Sequence, residues 1–526
     1  MAVSAPFVFS FWSVDYSNGD KQTSTAVLLI FVFVFALLWL RPKFRRPSLP
    51  PGPRGLPLVG YLPFLSGNLH HTFADLAQIY GPIFKLRLGT KLCVVLSSPS
   101  SVNEALHHQE TVLDNRDSTI SALLATYGGA DILFSQDEGD WKKLRKIFTR
   151  KMLSKSNLDA SYSLRRKEVR KVIKGAFESA GSPINIGKLG FFATVKSVMA
   201  MTWGGSGGLI GMDEADLEAK FREVVDELMI LVGTPNLSDL FPVLGRFDLQ
   251  GIARKMKKVM NVFYEILNSA IEEQRKMGGH GVERRGFLQC LLEFKDSEDS
   301  SESITDNQLK GLLMDIIIGG TDTTATTIEW AIAELMQQPN TMKKVVEELT
   351  KVVGLNQMVE DFHLSKLHYL DAVVKETLRL HPPLSLLVPR TATQTIILGG
   401  YTIPKNSAIY FNIWAIQRDP KVWDNPLNFW PERFLNEFTR NAYDFTGNNI
   451  KFCPFGSGKK VCAGIPLAER LLVLILASLL HAFEWELPEG SKLDSEETFG
   501  IVTRKLNPLV AIPIPRLSNL ELYNIM

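Results

Sequence analysis

Cysteine is scarce in this chain, with four residues in 526. Four cannot staple a chain of this length, so a disulfide framework is excluded and a reducing compartment follows. Net charge is nearly absent too: 58 Lys and Arg stand against 56 Asp and Glu, formally +2. That balance argues against a nucleic-acid binder in bulk, although an average hides local patches. Charged residues make up only 22% and hydrophobic ones 45%, with 31 Phe, which excludes a disordered chain. Nucleotide fingerprints are missing. A phosphate loop ending at Gly458 needs Gly where Cys453 stands, a dinucleotide loop from Gly456 fails at Val461, and the Trp203–Gly211 cluster has Ile210 where Gly is needed. No internal repeat is present. Beyond residue 40 the run Leu471 to Leu480 is ten residues, the length of a buried core helix. Length alone allows about three domains, but the one strongly polar stretch, Asp296 to Asp306, reads as an exposed loop before a strong helical pattern.

What is present begins at the N-terminus. Ala26 to Leu40 is unbroken apolar sequence, and Thr23 to Thr25 extends it to 18 residues. At ~1.5 Å per residue this spans about 27 Å, enough for a thin bilayer. Arg41, Lys43, Arg45 and Arg46 follow it, which puts the rest of the chain in the cytosol. A cleaved signal peptide is the competing reading, but small residues do not follow the run. The expected organisation is a lumenal segment 1–22, a transmembrane anchor 23–40, a basic and proline-rich hinge 41–56, and one catalytic domain 57–526. Helical patterns dominate, with strands expected near Ile83–Leu88, Leu92–Leu96, Thr395–Leu398 and Ala408–Asn412. The fold class is mainly α with small β-sheets.

One cysteine stands apart. Cys462 follows the glycine-rich loop Phe455-Gly456-Ser457-Gly458 and precedes a long apolar helix pattern, where N–H groups and the helix dipole favour a thiolate. A zinc site would need further ligands, and Cys453, nine residues away, has no common zinc spacing. Such a cradle suits haem iron, whose thiolate ligand pushes electron density toward O–O cleavage; a structural cysteine beside a turn is the bland alternative.

Phe455 to Gly464 resembles the haem-binding loop of the cytochrome P-450 monooxygenases, with Lys460 where the usual pattern has Arg. The resemblance runs in order along nearly the whole chain. It implies the P-450 fold, haem b held by Cys462, and contacts to it from Phe455, Gly456 and Lys460. Glu376 and Arg379 in KETLR, with Arg433 in PERF, match the family's buried bracing triad. In GGTDTT, Thr323 and Asp322 match the residues that manage protons during oxygen activation, with Gly319 making room on a helix that spans Leu309 to Met336. Two adjacent glycines also allow a broken helix capped at Asp322 or Thr323. Trp141, Arg145 and Arg390 match residues that contact haem propionates.

The segment Trp141 to Lys174 holds thirteen Lys or Arg against Asp159 and Glu168. It reads either as a solvated face or, by resemblance, as the docking side for a flavoprotein NADPH–cytochrome reductase, the source of electrons for a chain with no nucleotide fingerprint. Nucleic acid is not an expected partner; O2, membrane lipid and a small lipophilic substrate are. Family geometry suggests pocket walls near Leu123, Leu231, Ile316, Leu386, Leu387 and Ile501. The phrases MDIIIGGTDTT, LLVPR and NIWAIQRDP are most similar to a plant branch, anchored in the endoplasmic reticulum, that oxidises terpenoids. Hydroxylation of a specialised metabolite such as a sesquiterpene is the leading expectation. Alternatives are a phenolic or flavonoid hydroxylase, an aldoxime dehydratase forming a nitrile, and a non-enzymatic membrane scaffold.

Overall fold

The computed structural model describes residues 48–136, 138–204, 214–276, 286–297 and 303–525. The segment 1–22, the anchor 23–40 and hinge residues 41–47 lie outside the described residues. Leu49 to Met526 forms one compact unit, which starts eight residues before the expected boundary. The reason is that the proline strap is pinned rather than free. The Lys85 N–H donates to the Pro51 carbonyl at 2.8 Å and the Tyr61 N–H to the Arg87 carbonyl at 2.6 Å. Gly52 lies so close to the Lys85 carbonyl that no Cβ fits there. Residues 49–56 therefore belong to the domain, not to a hinge.

The unit is mainly helical. Its central member, α1 (Asp306–Gln337), is capped by Thr305 in a reciprocal box with Gln308, and it runs unbroken through Gly319 and Gly320. Two glycines cost about 2 kcal/mol relative to alanines. The buried faces on both sides outweigh that cost: Leu309, Leu312, Leu313, Ile316 and Ile317 before the pair, and Ala325, Ile328, Trp330 and Leu335 after it, are all buried. A helix Ile186–Trp203 packs along one side of α1, and α2 (Ile465–Ala482) along another. By length and hydropathy α2 could cross a membrane, yet Leu471 to Ala482 is mostly inside the core.

The largest sheet has five strands in the order β1 (Ile83–Leu88), β2 (Lys91–Leu96), β5 (Ala408–Phe411), β4 (Arg390–Thr391) and β3 (Asn115–Arg116). The β1–β2 hairpin pairs antiparallel, and β2 runs parallel to β5 with Val94 opposite Ile409. A two-stranded sheet pairs Ile396–Leu398 with Tyr401–Ile403. All four expected strands are present. Those the sequence does not announce include β3 and β4, two residues each and too short to show alternation. Their pairing sets Arg116 opposite Arg390. Near the C-terminus, Glu497–Thr498 pairs with Arg504–Lys505, and the intervening loop carries Ile501 and Val502.

Candidate active site

Cys462 ends the loop between Phe452 and the start of α2. The loop turns through Gly456 and Gly458, at φ +77° and +71°. At Gly458 a Cβ would meet the Leu106 carbonyl oxygen at 2.9 Å, and the left-handed φ independently favours glycine. The Cys462 N–H donates to the Phe455 carbonyl at 3.0 Å, and the Gly464 N–H donates to Sγ at 3.3 Å. Cys462 borders a cavity and is exposed to it. Burial pushes the thiol above its ordinary range; the N–H groups of Gly464 and Ile465 and the Arg145 guanidinium pull the other way. A metal ion held at the sulfur would supply the charge that favours thiolate. Cys93 and Cys453 are buried in apolar surroundings, pushed up to about 12, and do not border the cavity.

Edge-on and tilted aromatic contacts link this loop to a buried charge network. Phe455 packs on Phe445 at 5.1 Å and Phe452 on Phe434 at 5.4 Å, and Phe434 follows Arg433. Glu376 accepts from Arg379 Nη2 at 2.8 Å and Nε at 2.7 Å, from Arg433 Nε at 3.0 Å, and from the Trp430 N–H at 2.7 Å. Arg379 also donates to the carbonyls of Gln417, Pro426 and Asn428. The fold thus joins Glu376 to Arg433 across 57 residues of sequence. Such a network is stable only when every member is satisfied.

Among the described residues, four cations border the same cavity: Arg116, Arg145, Arg390 and Lys460. The three guanidinium groups donate to backbone carbonyls, Arg116 to Val388, Leu133 and Lys460, Arg145 to Val461, and Arg390 to Leu113 and Ser457. Burial and mutual repulsion pull Lys460 down to about 7 and Arg116 to about 9. Such crowding favours a doubly anionic ligand lying between them. Lys460 Nζ also sits 4.0 Å from the Trp141 ring centroid. Trp141 itself is not on the wall, because its indole N–H is given to the Ile132 carbonyl at 3.1 Å. Arg116 escaped the sequence reading, since a lone arginine in a two-residue strand carries no motif.

Opposite the sulfur runs α1. Thr323 faces the cavity and donates its hydroxyl to the Gly319 carbonyl at 2.8 Å. A Cβ on Gly319 would meet nothing within 4 Å, so this face is open. Asp322 is off the wall and buried, its Oδ2 2.7 Å from Arg504 Nη2. Burial raises its carboxyl above the usual range, and Arg504 opposes the rise. Of the expected walls, Ile316, Leu387 and Ile501 line the cavity and Leu123, Leu231 and Leu386 do not. Helix phase turns Leu228, Met229 and Val232 inward instead of Leu231, and Ala125 and Thr126 instead of Leu123. Leu386 packs into a separate cluster with Phe84 and Leu86, while Leu387 is held at φ +49° and points to the loop of Gly456.

The cavity, about 310 Å³, is otherwise walled by apolar side chains that include Ile132, Leu133, Phe134, Leu384 and Val502. The two carboxyls on it, Asp131 and Asp315, hold down the loop above α1: Asp315 accepts the Ile132 N–H at 2.8 Å and Asp131 the Phe134 N–H at 3.0 Å. A soft sulfur at the floor, cations beside it and apolar walls above fit a planar iron group with carboxylate arms. The basic run is reshaped by folding. Arg165 is buried, Arg166 and Arg170 pair with Glu360, and Lys171 pairs with Glu168. Its exposed bases include Lys142, Arg150, Lys151 and Lys155.

A family model described as Cytochrome P450 matches residues 50–512. Carnosic acid synthase of Salvia pomifera is 38% identical over 89% of this chain and 95% of its own. A flavonoid 3'-monooxygenase of Petunia hybrida is 35% identical over 93% of this chain and 98% of its own. Among solved structures, a zebrafish cytochrome P450 with progesterone matches with a TM-score of 0.72 and 26% identity, covering 85% of this chain and 99% of that one.

Proposed function

The chain belongs to the cytochrome P450 family, the monooxygenases that use a cysteine-ligated haem iron, and from that premise we propose that it hydroxylates a small neutral lipophile, a terpenoid by preference. In this reading Cys462 ligates the iron, while Arg116, Arg145, Arg390 and Lys460 hold the propionates. Bound haem supplies the activation of O2 that inserts one oxygen atom into substrate. Thr323 and Asp322 handle protons on the α1 side, and the walls exclude water and orient the substrate. The Glu376–Arg379–Arg433 network keeps the cysteine loop in place.

The observation that carries the reading is the meeting of Cys462 and apolar walls on one cavity. The terpenoid preference rests on how few polar groups those walls leave unspent: Thr126 gives its hydroxyl to Ala122, and Asp131 and Asp315 accept backbone N–H groups. A flavonoid hydroxylase is the second reading, favoured by the similarity to flavonoid 3'-monooxygenases. Electrons arrive from a reductase on the face of Lys142, Arg150, Lys151 and Lys155, steered by charge.

Attachment to the endoplasmic-reticulum membrane by the segment 23–40 completes the proposal. Two stretches of the domain support it: Leu58 and Phe64, with Val243, Phe247 and Leu249, are exposed. They adjoin where Thr90 donates to the Leu240 carbonyl and Gly89 to the Val59 carbonyl, and an apolar patch of this kind suits a lipid surface.

The test is a carbon-monoxide difference spectrum of the reduced, haem-loaded protein, followed by a ligand screen with sesquiterpenes, flavanones and aromatic aldoximes. A thiolate-type band that disappears in Cys462→Ser, with NADPH-dependent hydroxylation of a terpene, is the expected result. Turnover without O2 would point to an aldoxime-type dehydration instead, and absence of the band would end the haem assignment.

A further inference from the structure

Among the described residues, one group of three metal-ligating side chains converges: His70, His71 and Glu497, with their ligand atoms within 4.8 Å of one another. Nε2 of His70 lies 2.8 Å and Nε2 of His71 2.7 Å from the same oxygen, Glu497 Oε1. The two histidines are successive residues in the first turn of the helix Leu69–Tyr80, where neighbours ordinarily point apart. Here both rings turn to one point. None of the three borders the cavity of Cys462.

The surroundings hold this geometry in place. Asn68 stands at the helix N-cap but caps nothing; its side chain donates to the Glu497 carbonyl at 3.1 Å and accepts the Phe499 N–H at 2.9 Å. Asn412 donates to the His70 carbonyl at 2.9 Å. Phe499 stacks on the His70 ring at 5.4 Å, and Trp414 lies 4.5 Å from the His71 ring. The side chains of His70 and Glu497 are buried, at 0% and 7% exposed, while His71 at 39% opens the group to solvent. Nδ1 of His70 has no hydrogen-bond partner, so nothing fixes the ring proton on one nitrogen and Nε2 can give it up. Burial lowers His70 below its ordinary range, which keeps a lone pair on the ring. Burial also opposes ionisation of Glu497, but the hydrogen bonds from His70 and His71 hold its carboxyl well below the usual carboxylate range. The other titratable groups facing the three are Arg418, 4.1 Å over the Trp414 ring, and His381.

We propose that His70, His71 and Glu497 form a site for a divalent transition metal, zinc by its ligand chemistry, that ties the C-terminal hairpin to the helix Leu69–Tyr80. Two imidazoles and one carboxylate are a set that zinc takes, with a fourth position left for water. Magnesium and calcium prefer oxygen throughout. Tetrahedral zinc, with bonds of about 2.0–2.1 Å, sets its ligand atoms about 3.3 Å apart. Glu497 Oε1 alone can supply the adjustment of about half an ångström, because both short contacts end on it. Each neutral ring keeps one proton, moved from Nε2 to Nδ1. The hairpin pairs Glu497–Thr498 with Arg504–Lys505, and its loop gives Ile501 and Val502 to the cavity wall. A metal on Glu497 therefore fixes one end of that wall to a helix outside the cavity.

The experiment is competition for zinc ion between the untagged, full-length, haem-loaded protein and a chromophoric chelator of micromolar affinity, with magnesium ion as the control. One zinc per chain is expected, undisturbed by excess magnesium. Loss of a supporting contact alone costs a metal site about 10- to 100-fold in affinity, so His71→Ala and Glu497→Gln, which each remove a ligand, should weaken zinc by at least about tenfold. His71 is half-exposed and Gln keeps the shape of Glu497, so both variants are expected to fold and to keep the carbon-monoxide band of the parent. Hydrogen exchange across residues 497–505 is expected to slow with zinc in the parent and not in Glu497→Gln. Absence of zinc binding in the parent, zinc held equally tightly by the parent and either variant, or equal binding of magnesium overturns the site. Exchange indifferent to bound zinc overturns the tie.

Discussion

Arg379 grips both oxygens of Glu376, at 2.7 and 2.8 Å, with both side chains 0% exposed. A buried pair of this kind adds little net stability when complete and costs much when half is removed, on the order of 3–5 kcal/mol. Glu376→Ala leaves two cations facing no acid, so it is expected to lose haem and melt early. Haem content and thermal unfolding check this. Glu376→Gln, which keeps the shape and the acceptor oxygen, should fall between the parent and the alanine variant.

Arg116 offers a sharper test of the cation cluster, since sequence gave no reason to choose it. Arg116→Met removes donors from the carbonyls of Val388, Leu133 and Lys460 as well as a charge beside the cavity. Fold stability should drop by about 1–3 kcal/mol, and haem should transfer faster to a scavenging apoprotein. Equal haem-transfer rates in variant and parent would remove Arg116 from the propionate site.

The Asp131–Asp315 pair predicts a pH dependence. Two acids in one buried spot share a proton: Asp131 is raised to about 6 and Asp315 well above its usual value, burial being the first cause for each. Because these folded-state values lie above the unfolded ones, stability is highest at acid pH. It falls as pH rises past about 4, where the unfolded carboxyls release their protons. Asp315→Asn keeps an acceptor for the Ile132 N–H and removes the shared proton. Its stability relative to the parent should therefore rise between pH 5 and pH 8, read as a growing difference in melting temperature.

Reversal of charge at Arg150, Lys151 and Lys155 to Glu is expected to slow electron transfer from the reductase, most strongly at low ionic strength. Lys167→Glu, exposed on the helix Tyr162–Glu178, should have little effect. Stopped-flow reduction rates at two salt concentrations separate the cases. Equal slowing at both sites would spread the docking face over the whole basic run.

The sequence by itself determined the parts whose signal is local. Cys462 in its glycine loop and the β1, β2 and β5 strands were legible because periodicity and turn chemistry act over a few residues, whereas the pairing of KETLR with PERF came from the family resemblance and the glycine pair left a broken helix open. Tertiary structure decided what depends on where elements meet. Two-residue strand pairing set Arg116 beside Arg390, helix phase chose Leu228 over Leu231 for the cavity, and hydrogen bonds from Lys85 to the Pro50 and Pro51 carbonyls drew the strap into the domain. It also divided the basic run, turning Arg165 inward and leaving Arg150 to solvent. Spacing along a chain cannot say which side of a helix faces a partner, since that orientation follows from burial shared by residues hundreds of positions apart.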